Sequence, residues 1–173
     1  MAKIIKDIDE FNAFFRQPTT HPLVSVGDLS KANPSLFEPA DFGMYCVVLM
    51  DAYIGTLTKD GQPMRYEEGT IFTMMPGQVV GLEADYKNHP RGWMLAFRPE
   101  LLVKTGLGRD FYMFNFFSAN ATEALRLSPM ERGIIVNCFA NIFAEPHGSN
   151  VIQCISCVLH HIMKKTCHNC FLI

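Results

Sequence analysis

Four of the chain's six cysteines and three of its six histidines fall within residues 154–170, CISCVLHHIMKKTCHNC. Cys154-x-x-Cys157 and Cys167-x-x-Cys170 have the spacing of paired knuckles in structural zinc sites, where four thiolate or imidazole ligands close a tetrahedron. Two knuckles share one ion only if the chain between them folds back. The intervening VLHHIMKKT holds no Gly, Pro, Asn or Asp, so the usual turn chemistry is missing. Val151, Ile155, Val158, Leu159 and Ile162 recur instead at helical spacing. A continuous helix separates Cys154 from Cys170 by about 24 Å, at about 1.5 Å per residue. Zinc bonds of about 2.0–2.3 Å cannot span that. The segment reads as a helix, and no metal is expected. A narrower metal reading stays open: Cys154, Cys157, His161 and His168 lie along one side of it. Cys157 and His161, an i,i+4 pair, would grip an ion together if a partner helix supplied further ligands. The plainer alternative is that free cysteine acts as a small hydrophobe.

Other chemistry is sparse. The sequence has no Walker loop, GxSxG or HExxH, and TGLGRD lacks the GxGxxG spacing. No nucleophile stands beside a base, so no catalytic residue is assigned and no enzyme is expected. The net charge of −2 comes without any cluster of Lys and Arg, which leaves no footprint for phosphate backbones. The N-terminus mixes charges and lacks the apolar core of a signal peptide, and no apolar run reaches the length of a membrane span. A cytoplasmic location with reduced thiols is therefore expected.

Small-molecule pockets combine apolar walls with a few placed polar groups. In GWMLAFR, strand alternation puts Trp93, Leu95 and Phe97 on one face and Met94, Ala96 and Arg98 on the other. Trp93 is the only tryptophan, and a flat ring with one donor suits stacking on a sugar or an aromatic ligand. Tyr45 and Tyr66 would aim phenols inward. Arg98 would pair with an anionic group. Tyr45, Tyr66, Trp93, Phe97 and Arg98 are thus the candidate ligand-binding residues. Each also has a structural reading: Trp93 as a core residue between sheet and helices, the tyrosines as buried groups with backbone partners, Arg98 as the partner of Glu100.

The elements that would position these residues follow from periodicity and turn chemistry. Asp7 and Glu10 cap a short helix over 7–16, with Ile8, Phe11 and Phe15 on one side. HPLVSVGDL reads as a strand. From Phe42 to Arg98 short strands recur at spacings of roughly 8–12 residues, with a hairpin at Asp60-Gly61 and a type II turn at Pro76-Gly77. FGMYCVVLM is apolar on both faces and so is covered on both sides. RDFYMFNFF supplies aromatics for a strand or a buried loop. Ser128, Pro129 and Glu131 form a capping box ahead of the stripe Ile135, Cys138, Phe139 and Ile142. Pro146-His147-Gly148 then breaks that helix before the cysteine-rich one.

In this order HPLVSVGDLSK, FGMYCVVLM, YEEGTIFTMMPGQVVGLE, GWMLAFRPELLVKTGLG and FFSANATEALRLSPMER resemble the N-terminal sensor domain of AraC-family transcriptional regulators, in the form common in Bacteroides-like bacteria. The resemblance covers roughly residues 20 to 171. It implies a mainly β fold, a cupin-like double-stranded β-barrel (jelly roll) with two C-terminal α-helices. It divides the chain into an N-terminal arm and short helix (1–20), a barrel (21–118) and C-terminal helices for packing and dimerisation (119–173). It also implies a small-molecule effector, a homodimer formed through the C-terminal helices, and DNA contact only through a separate helix-turn-helix domain. The sequence ends at Ile173, so operator binding by this stretch alone is not expected. Two departures stand out. Only His89 lies between Phe42 and Arg98, too few for the three-histidine metal site of cupin isomerases and oxygenases, which are the enzyme alternative. Arg98 stands where the family often has histidine. A zinc-stapled interaction module at the C-terminus is the third reading.

Overall fold

The computed structural model describes residues 1–85, 87–103, 105–106 and 123–170, with residues 167–170 described by backbone alone. Ten strands and three α-helices are found among them, with three short 3₁₀ turns. In chain order these are β1 (Lys3–Ile4), α1 (Ile8–Ala13), β2 (Val24–Asp28), β3 (Ala40–Asp41), β4 (Tyr45–Met50), β5 (Gly55–Lys59) and β6 (Gln62–Met64). Then follow β7 (Thr70–Met74), β8 (Val79–Ala84), β9 (Gly92–Phe97), β10 (Leu125–Arg126), α2 (Pro129–Ala144) and α3 (Val151–Cys170). The segment RDFYMFNFF lies outside the described residues.

The strands form two five-stranded sheets, ordered β1-β3-β8-β5-β6 and β10-β7-β4-β9-β2. The expectation of a mainly β chain with two C-terminal helices is met. Among the described residues no strand joins the two sheets into a closed ring. Three of the four edge strands, β1, β6 and β10, are two or three residues long. Pro63 within β6 lacks an N–H to donate, which confines it to an edge.

Turn chemistry sets the registers. Asp60 and Gly61 both take positive φ, 50° and 76°, as a type I′ turn requires. The loop pairs Lys59 with Gln62 and Leu57 with Met64. Asp60 also accepts a hydrogen bond from the Val79 N–H at 2.8 Å, tying the turn to β8. Gly77 has φ 90°, and the Gln78 N–H donates to the Met75 carbonyl at 3.1 Å, closing the type II turn.

The central sheet is buried on both faces, as the unbroken apolar run of β4 predicts. Cys46, Val48 and Met50 face the other sheet, together with Phe72, Met74, Met94 and Ala96. Val47 and Leu49 face the helices with Ile71, Leu95 and Phe97. The layers are therefore sheet, sheet and helix pair. The N-terminal arm belongs to the inter-sheet layer, through Ile5, Ile8, Phe11, Phe14 and Phe15. Helix α1 is shorter than the 7–16 expected, because Arg16 takes a φ of 53° just after it. There Phe15 presses on β2: a Cβ at Gly27 would sit 2.3 Å from its ring.

Helix α2 starts with the capping box the sequence specifies. The Ser128 hydroxyl accepts from the Glu131 N–H at 3.2 Å, and Glu131 accepts from the Ser128 N–H at 2.7 Å. Its inner stripe of Ile135, Cys138, Phe139 and Ile142 is buried against the sheet and α3. Arg132, one turn in, donates through Nε and Nη2 to both carboxylate oxygens of Asp51 at the end of β4, at 2.7 and 2.5 Å. That bidentate pair fixes the helix to the sheet. No helix among the described residues is long and apolar enough to cross a membrane.

Candidate functional site

Several spaces could be considered for a ligand, among them one of about 420 Å³ beside Pro39 and Glu83, and two of the others differ in kind. The first lies between the two sheets and is lined by Val48, Met50, Leu57, Phe72, Met74 and Met94 among other apolar groups. Its volume is about 50 Å³, well below the roughly 300–1,000 Å³ of drug-sized pockets. The interior is filled by its own side chains.

The second is a groove of about 770 Å³ beside the β5–β6 hairpin. Its walls include Tyr53, Met64, Tyr66, Thr70, Leu125 and Lys165. The hairpin register builds its aromatic wall. Each cross-strand pair of β5 and β6 sums to 121, as in Leu57↔Met64, and extending that register sets Tyr66 opposite Gly55. There the Tyr66 hydroxyl donates to the Gly55 carbonyl at 2.8 Å and accepts from the Ile54 N–H at 3.1 Å. Its ring stacks on Tyr53 with centroids 5.2 Å apart and planes at 21°. Burial pushes the Tyr66 phenol up, against a smaller opposite pull from the Ile54 N–H, so it stays neutral at physiological pH. With its hydroxyl occupied, Tyr66 serves as a fixed platform, and Tyr53, half exposed, offers the accessible ring.

The charged rim is internally balanced. Arg65 pairs with Glu123 at 3.3 Å, Arg126 with Glu67 at 2.7 Å, and Lys165 with Glu131 at 2.8 Å. Exposed pairs such as the first two contribute little to stability. They do cancel the field that would draw in a strongly charged ligand. The groove suits a neutral, flat, hydrogen-bonding molecule.

The five sequence-nominated residues do not converge. Tyr66 lines the groove. Tyr45 and Phe97 are cross-strand partners on β4 and β9, with rings stacked at 5.9 Å on the helix-facing side. Trp93 lies on that same side, with its ring edge-on to Phe143 of α2 at 5.8 Å. The alternation assigned to β9 is observed, with Trp93, Leu95 and Phe97 turned to the helices and Met94 and Ala96 to the other sheet. Arg98 is paired at the surface with Glu100 at 3.3 Å. It also donates to the Lys6 carbonyl at 3.4 Å.

Sequence reasoning missed Tyr53, Arg126 and Lys165. Tyr53 was within reach: once Asp60-Gly61 fixes a two-residue loop, counting back along the ladder places it diagonally beside Tyr66. Lys165 gave no such signal, because its place depends on how α3 lies across the sheet.

The cysteine-rich segment is one helix, α3. Among the described residues no group of three or more His, Cys, Asp or Glu is arranged to hold a metal ion. The His161 Nδ1 lies 2.9 Å from the Cys157 carbonyl oxygen and 3.9 Å from its Sγ. The ring N–H must donate to that carbonyl, so this nitrogen has no lone pair free for an ion.

No family model matches the chain, and no curated protein matches it. Among solved structures it is similar to the AraC-like transcriptional activator CuxR, over 84% of this chain and 47% of that one, with 11% identity and a TM-score of 0.39. The chain thus spans about half the length of that protein.

Proposed function

We propose that this chain is the effector-sensing and dimerisation domain of an AraC-type transcription regulator, a non-catalytic, cytoplasmic module with a jelly-roll arrangement of strands. The observation that carries the reading is the composition of the groove. Its lining joins the β5–β6 hairpin of the outer sheet with Lys165 of α3. A molecule seated there touches both the β layers and the C-terminal helix. An effector that prefers one setting of α3 over another shifts its population by the difference in affinity, and passes that shift to whatever α3 adjoins. A neutral sugar or a small aromatic metabolite matches the stacked tyrosines and the balanced rim.

The dimer belongs to the same reading. Helix α2 buries one stripe and leaves Met130 and Ile134 exposed at one margin of it, with Phe143, edge-on to Trp93, exposed at the other. Apolar side chains left exposed beside a buried stripe call for cover, and a second copy supplies it through C-terminal helices. DNA contact would fall to an attached helix-turn-helix domain.

A thermal-shift and calorimetric screen of sugars and aromatic metabolites tests the sensor reading. A binder is expected whose affinity drops at least tenfold in Tyr53→Ala, whereas Trp93→Phe leaves it within about threefold. Binding untouched by Tyr53→Ala, or no binder across both classes, counts against the groove. Sedimentation at high micromolar concentration should show a dimer that Ile134→Asp dissociates; a monomer throughout would exclude the second half of the proposal.

A further inference from the structure

The cationic side chains that line the groove, Arg65, Arg126 and Lys165, differ in how much water they keep. Arg65 and Arg126 are 87% and 76% exposed, so an oxygen on a ligand only replaces water there, at little net gain. Lys165 is 28% exposed. Its Nζ lies 2.8 Å from Glu131 Oε2, the same oxygen that accepts from the Ser128 N–H at 2.7 Å. The ammonium is thus sheltered and held in place by the cap of α2. It carries three donors, and the contact with Glu131 engages one of them.

Glu131 also settles what kind of oxygen suits the remaining donors. A carboxylate brought onto Lys165 would lie beside the Glu131 carboxylate, and like charges at that range repel. A carbonyl or ether oxygen accepts from the ammonium without that cost. The Tyr53 ring, stacked on Tyr66 and half exposed, supplies a flat face in the same groove.

We infer that Lys165 is the specificity-determining residue of the groove: it selects neutral ring ligands that carry an acceptor oxygen, and it keeps Glu131 while binding them. The inference rests on the groove being the ligand site. It also gives the ligand a route to α2. Leu125 and Arg126 of β10 line the groove just ahead of the cap, and Lys165 meets the cap's carboxylate from α3. A ligand that orders Lys165 holds Glu131 on the Ser128 N–H, and the first turn of α2 gains stability from the same contact.

Three probes of nearly equal size separate the possibilities: 4-hydroxyacetophenone, with a ketone oxygen; 4-isopropylphenol, its apolar counterpart; and 4-hydroxybenzoate, with a carboxylate. Each is titrated against the full chain in mildly acidic buffer, where the phenols stay neutral, and followed by ligand-observed NMR. The ketone is expected to bind about tenfold more tightly than 4-isopropylphenol, and more tightly than 4-hydroxybenzoate. Lys165→Met keeps the length of the side chain and removes its donors, so the ketone should fall to the affinity of 4-isopropylphenol. Glu131→Gln leaves the ammonium without its carboxylate, so the preference should move toward 4-hydroxybenzoate. Should Lys165→Met misfold, the wild-type ranking and the Glu131→Gln shift still decide. Equal binding of ketone and isopropyl probes, a ketone preference that survives in Lys165→Met, or a ranking unmoved in Glu131→Gln would each overturn the inference. Failure of the groove reading beneath it looks different: Tyr53→Ala would leave every affinity unchanged, or none of the three probes would bind, and the role of Lys165 would fall with it.

Discussion

The central sheet has two apolar faces, and they are built from different side chains. Toward the other sheet the buried residues include Met44, Met50, Met64, Met74 and Met94. Toward the helices they are chiefly Val, Ile and Leu, among them Val47, Leu49, Ile71, Leu95, Ile135, Ile155 and Val158, with Phe97 and Phe139. Unbranched methionine has three rotatable bonds and fills irregular space by adapting. β-Branched residues hold one preferred rotamer and transmit displacement instead of absorbing it. From this contrast in side chains β4 is expected to separate a layer that yields from a layer that passes motion on. The small void of about 50 Å³ lies in the yielding layer.

This contrast makes ordered predictions. The largest effect belongs to the helix-facing side. Phe139→Ala removes a ring that is fully buried between α2, α3 and the sheet. It is expected to destabilise by about 3–5 kcal/mol in chemical denaturation. Next comes the pin between helix and sheet. Asp51→Asn keeps the shape but removes the charge that Arg132 grips. With the Arg132 side chain 45% exposed, the expected loss is about 1–2 kcal/mol, and a loss near zero would mean that α2 is positioned by apolar contact alone.

The cap of α2 ranks third. Ser128→Ala should cost about 1 kcal/mol, and Glu131 adds a pH signature. Burial raises the Glu131 carboxyl, but hydrogen bonds from Lys165 and the Ser128 N–H outweigh it, and its value lies below the ordinary carboxylate range. A depressed folded-state value stabilises the fold above the unfolded pKa, and that contribution is lost as the pH falls through the folded value. Stability measured below about pH 4 should therefore decline less steeply in Glu131→Gln than in the wild type. The smallest effect is predicted on the yielding side. Met94→Leu, nearly equal in volume, should change stability by less than about 1.5 kcal/mol. If it costs as much as Phe139→Ala, the two faces are not different in kind.

Several parts of this arrangement were legible in residue order because they depend on neighbours a few positions apart. The Asp60-Gly61 hairpin, the Pro76-Gly77 turn and the Ser128–Glu131 box each satisfy backbone groups within one turn of chain, and each stands where the sequence puts it. The double-sided burial of β4 was legible too, since an unbroken apolar run leaves no face for water. The ligand residues were less so. Alternation divides β9 into two sets, yet both sets are apolar, and nothing in the period says which one meets the helices. Trp93, Phe97 and Tyr45 were nominated for a cavity and lie instead against α2 and α3.

By itself, then, the order of residues determined the local elements, their turns and caps, and the partition of each strand into two faces, because those follow from bonds and sterics spanning a few residues. Tertiary structure decided which face meets which layer, and that Lys165 reaches the groove. Those contacts join residues far apart in sequence, and only the packing of whole sheets and helices against one another selects them.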